Sequence, residues 1–94
     1  SAAGKTIMRS SLLDTYEGIS VEMEMYALAY PSLGAQPAEY KAYEMAATSF
    51  LSRIKNILES TTTKTWTVTS DFVQLRTTYQ DTRDYLREYE LIKQ

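Results

Sequence analysis

Cysteine and histidine are both missing from this chain of 94 residues. The first absence removes disulfides and thiolate metal ligands, and fits any redox compartment. The second removes the commonest general base and the commonest transition-metal ligand together. It also closes the Glu-x-x-His route to a carboxylate-bridged di-iron site in a helical bundle. Glycine and proline are scarce, at three and two residues. No apolar run approaches the roughly 20 residues of a membrane span; the longest is YALAY at 26–30 together with Met25 before it. A soluble chain without a signal-type apolar segment is therefore expected. Formal charge is only −2, too small to announce a nucleic-acid partner. No glycine-rich phosphate loop, nucleophile elbow or basic stripe with interleaved aromatics occurs. Neither enzymatic activity nor a cofactor is expected.

What the sequence does have is helical periodicity. A chain of this length fits one domain, residues 1–94, that buries only about 60–65% of the surface its unfolded form exposes. Leu12, Tyr16, Ile19, Met23, Tyr26 and Tyr30 form one amphipathic stripe, predicting a first helix over 5–30. Gly18 interrupts that run at a cost of about 1 kcal/mol relative to alanine; a bend there leaves one helix, a break makes two. Pro31 ends the segment, and PSLGAQP reads as a tight loop. Pro37 suits the first turn of the next helix, with Glu39 near its positive end. There Tyr40, Tyr43, Ala47, Phe50, Ile54 and Ile57 form the stripe, widened by Leu51 and Leu58.

STTTKTWTVTSD at 60–71 changes period. Threonine at every second position favours extended backbone, but a lone strand has nothing to pair with in a helical chain. The expectation is an extended connector across one end of the bundle. Asp71 with Gln74, or Ser70, caps the third helix. Its stripe is Phe72, Leu75, Tyr79, Thr82, Leu86 and Tyr89, with Ile92 prolonging it. The pattern stops without a closing glycine or proline, so a continuation past Gln94 is expected. The predicted fold is all-α: an antiparallel up-and-down bundle of four helices, or of three long ones if Gly18 is spanned.

Few residues suggest chemistry. Asp81, Asp84 and Glu88 share one helix side and are weak candidates for a hard cation such as calcium. Arg83 and Arg87 beside them make an ordinary solvated, ion-paired face the stronger reading. The eight tyrosines are mostly core and boundary residues whose hydroxyls reach water, with Tyr40 and Tyr43 the first suspects for any redox or docking role. The four methionines are expected as core filler. Trp66, alone in the connector, either plugs the bundle's open end or anchors a partner. Charge is uneven: residues 1–47 sum to −3 and residues 48–94 to +1. Solvated helix faces are the usual cause; docking onto a charged assembly is the other.

SAAGKTIM at the start has the look of a terminus left by lumenal processing at small residues, which a vector-derived scar would mimic. KTIMRSSLLDTYEGIS, AYEMAATSFLSRIKNIL and DFVQLRTTYQDTRDYLREYE have a matching helical texture. On these stretches the chain resembles the PsbQ-like extrinsic lumenal subunits of photosystem II, the group that includes the fifth extrinsic protein of diatoms. The resemblance implies a four-helix up-and-down bundle in the chloroplast thylakoid lumen, freed of its targeting sequence and peripheral to the membrane. It implies binding to the photosystem II core and its other extrinsic subunits. It further implies shielding of the manganese–calcium cluster, retention of calcium and chloride, and support of oxygen evolution, with no catalytic residue. On charge grounds Lys5, Arg9, Lys41, Arg53, Lys55 and Lys64 are the docking candidates, with Trp66. The alternative is a small helical structural adaptor of a phage particle or secretion assembly.

Overall fold

In the computed structural model, which describes residues 2–93, the chain is 77% helical. Three helices and two short strands follow in the order β1 (Thr6–Met8), α1 (Arg9–Ala29), α2 (Ala38–Ser60), β2 (Thr65–Thr67) and α3 (Ser70–Lys93), with a 3-10 turn at Leu33–Ala35 between α1 and α2. The described part measures 43 × 24 × 18 Å.

The bundle has three helices, not four. α1 runs unbroken through Gly18, whose exposed position has no side-chain neighbour within 4 Å, so nothing forces a break there. α1 also begins later than its periodicity predicts, because residues 6–8 are strand. α2 starts at Ala38, with Pro37 just outside as its flanking residue and Glu39 in the first turn. Ser70 and Asp71 both lie inside α3 and not before it; Asp71 occupies the first turn, where a carboxylate meets the positive end of the helix dipole.

α2 is the central helix and packs against both α1 and α3. Its whole predicted stripe, Tyr40, Tyr43, Ala47, Phe50, Ile54 and Ile57, is buried. Rings stack across the core: Phe50 meets Phe72 at 5.2 Å and Tyr79 at 5.6 Å between centroids, and Tyr43 meets Tyr26 at 5.1 Å. The flanking helices bury less. Leu12, Ile19 and Tyr30 of the α1 stripe are buried, while Tyr16, Met23 and Tyr26 only pack against the core's edge. Of the methionines only Met23 joins that edge; Met8, Met25 and Met45 are exposed, against the expectation of core filler.

The threonine connector does find a partner. β2 pairs antiparallel with β1 in the register Thr6↔Thr67, Ile7↔Trp66 and Met8↔Thr65. Gly4 N–H donates to Val68 C=O at 2.8 Å and Val68 N–H to Lys5 C=O at 2.7 Å, extending the ribbon. Gly4 has φ of 87°, a left-handed conformation that glycine reaches without the Cβ penalty. Thr6 and Thr67 face outward while Ile7 and Trp66 turn inward, the period-two alternation of a half-buried strand. The ribbon closes the end of the bundle where α1 and α3 start and α2 finishes.

Candidate docking surfaces

The ribbon end is built by three of the seven docking candidates. Arg9 donates from Nε to Thr61 C=O at 2.9 Å and from Nη2 to Leu58 C=O at 2.8 Å. Those carbonyls belong to the last turn of α2 and its flank, where helices leave acceptors without intrahelical donors. Arg9 is thus a helix cap. Trp66 lies edge-on to Phe72 at 5.1 Å, half-buried, as a plug over the core. Arg53 stacks 5.6 Å over the indole and donates to Asp71 Oδ2 at 2.8 Å. The Asp71 carboxyl is held below its ordinary range by hydrogen bonds from Thr69 and Arg53.

The remaining candidates, Lys5, Lys41, Lys55 and Lys64, are exposed and form no ion pair among the described residues. Lys5 and Lys64 flank opposite ends of the ribbon, and Lys55 stands within two turns of it on α2. Three free ammonium groups therefore share one end of the molecule. Lys41 is separate, in the first turn or so of α2 at the other end. That far end exposes Leu28, Leu33, Leu91 and Ile92; the first three lie off the stripes, and Ile92, expected to prolong the third stripe, is 77% exposed because α3 there runs past the helices that cover it.

The weak cation candidates do not come together. No group of carboxylates that could hold a metal occurs among the described residues. Asp84 pairs with the adjacent Arg83 at 3.2 Å, Arg87 turns away to Glu22, and Asp81 and Glu88 stay exposed and unpaired. A helix surface separates such side chains too widely for the six to eight oxygens that calcium takes.

Tyrosine hydroxyls and carboxylates make up a polar seam that sequence periodicity missed. Glu22 Oε1 accepts from Tyr43 at 2.7 Å and from Tyr79 at 2.5 Å, and its Oε2 accepts from Arg87 Nη2 at 3.1 Å. Tyr30 donates to Glu90 and accepts from Lys93 Nζ at 3.1 Å. Tyr40 donates to Glu44 at 3.1 Å. Burial, reinforced by the Glu22 bond, raises the Tyr43 hydroxyl far above its ordinary range and pushes Tyr79 up to about 12. Burial followed by the carboxylate partner raises Tyr30 and Tyr40 as well. The Tyr43 hydroxyl thus joins α2 to α1 through Glu22, and the Tyr40 hydroxyl is held by Glu44 one turn along α2. A Ser-x-x-Lys spacing, one that a histidine-free serine nucleophile can use, is also present at Ser52 and Lys55. Both side chains stand exposed on α2, with no hydrogen bond between them.

Comparison with protein-family models, curated proteins and solved structures found no match. No helix among the described residues is long and apolar enough to cross a membrane.

Proposed function

We propose that the chain is a non-catalytic docking subunit, held by its lysine-bearing ribbon end on an acidic protein surface. The observation that carries this reading is the division of labour at that end. Arg9, Arg53 and Trp66 are consumed in tying the ribbon to the ends of α2 and α3, and Lys5, Lys55 and Lys64 are left exposed and unpaired at that end. Lysines in such a place add little to folding but steer association and set its salt dependence. A preformed ribbon also spares the ordering entropy that a loose loop would lose on binding.

The partner comes from the resemblance: the lumenal face of photosystem II, where the chain assists oxygen evolution and ion retention. The tyrosine–carboxylate seam fits a structural role, since the Tyr43 and Tyr79 hydroxyls join α2 and α3 to α1 through Glu22. The test is rebinding. Added to salt-washed photosystem II membranes at low ionic strength, the protein is expected to bind and to raise oxygen evolution, and to come off again as salt increases. Absence of binding at any ionic strength removes the photosystem II reading.

A further inference from the structure

We propose that the groove between α2 and α3 receives an amphipathic helix from a partner protein, one with large apolar anchors and a basic edge. The groove encloses about 670 Å³ on the flank of the α2–α3 pair. Its walls are Ala42, Met45 and Ala46 on one side and Leu75, Thr78 and Thr82 on the other. Small side chains let a helix backbone approach closely, and Leu75 supplies an apolar floor. The lining on α3 runs from Asp71 to Thr82, which at 1.5 Å per residue accommodates about three helical turns. Met45 is 73% exposed at the rim, and flexible methionine is well suited to repacking around an incoming helix.

Charge decides what that helix looks like. Gln74 and Asp81 are seven residues apart, as are Thr78 and Tyr85, and Asp81 and Glu88, so they continue along the same rows of α3. Asp81 and Glu88 are the exposed, unpaired carboxylates, and Tyr85 between them is 57% exposed. The α2 rim is uncharged at Met45 and Ser49, with the exposed Lys41 one turn beyond Met45, and the Arg53–Asp71 pair closes the ribbon end of the groove. The occupant is thus apolar on one face and cationic along the edge that meets α3. A second copy of this chain does not qualify. Its outward apolar row on α1, Val21, Met25 and Leu28, is flanked by Glu17 and Glu24, and its outward Tyr85 and Ile92 on α3 by Glu88, which would face Asp81 and Glu88 with like charge.

A synthetic amphipathic peptide of about 18 residues, with leucines at i, i+4, i+7 and i+11 and lysines along one edge, titrated into the intact protein, tests the proposal. Amide chemical shifts are expected to move at Ala42, Met45, Ala46, Leu75 and Thr78. Asp81→Lys with Glu88→Lys is expected to weaken binding at least about tenfold, and the peptide with glutamates in place of its lysines is expected not to bind over the same range. Both substitutions lie on the exposed face, so circular dichroism should be unchanged. Equal binding of the two peptides, shifts confined to another face, or filling of the groove by self-association of the protein overturns the proposal.

Discussion

Glu22 ties together all three helices from one side chain, accepting from Tyr43 of α2 and from Tyr79 and Arg87 of α3. Its role was illegible in the sequence because it lies off the apolar stripe and its partners stand 21, 57 and 65 positions away. Only three-dimensional packing puts them together. Removing the carboxylate leaves two phenols short of an acceptor inside the seam. Glu22→Ala is expected to cost about 1–3 kcal/mol, measured by urea unfolding, and Glu22→Gln less, since an amide oxygen still accepts. The same seam predicts sensitivity to alkali. Tyr43 and Tyr79 hold their protons in the folded state at pH values where the unfolded chain, with an ordinary tyrosine value near 10, releases them. The stability they contribute is fully present below about pH 10 and is lost as pH rises toward the Tyr79 value of about 12. Urea midpoints should therefore fall between about pH 10 and about pH 12, and fall less in Tyr79→Phe. Equal pH dependence in the two proteins would count against the seam.

α2 was the most legible element, and its position explains why. Each predicted stripe residue from Tyr40 to Ile57 is buried because α2 has a helix on either side. α1 and α3 carry stripes of similar spacing, yet Tyr16, Met23, Thr82 and Tyr89 are only partly covered. Periodicity reports which face is apolar, and says nothing of how many neighbours come to cover it. The ribbon shows the complementary limit. Alternating threonines marked the extended state of β2, but its partner is a three-residue strand too short for any pattern to announce. Gly18 offers a direct test of α1. It lies exposed inside a continuous helix with open space where a Cβ would go, so Gly18→Ala is expected to stabilise by about 1 kcal/mol. For a domain of this size that raises the melting temperature by about 4–8 °C. A lowered melting temperature would mean that α1 bends there after all.

Across the whole molecule, three helices with a ribbon at one end give it two unlike poles. One pole carries Lys5, Lys55 and Lys64 around the ribbon, and the other exposes Leu28, Leu33, Leu91 and Ile92. The all-α class was legible from periodicity alone, whereas the number of helices turned on Gly18, where a local cost of about 1 kcal/mol competes with packing along the length of α1. The candidate docking lysines were legible as cations but not as a group, since residues 5, 55 and 64 come to one end of the molecule only when β1 pairs with β2 beyond the last turns of α2. Charge reversal separates that group from charge in general. The Lys5→Glu, Lys55→Glu and Lys64→Glu triple variant should be compared with Lys41→Glu for rebinding to salt-washed photosystem II at low ionic strength. The account predicts that the triple variant fails to rebind while Lys41→Glu binds like the unaltered protein; equal binding by both would contradict it.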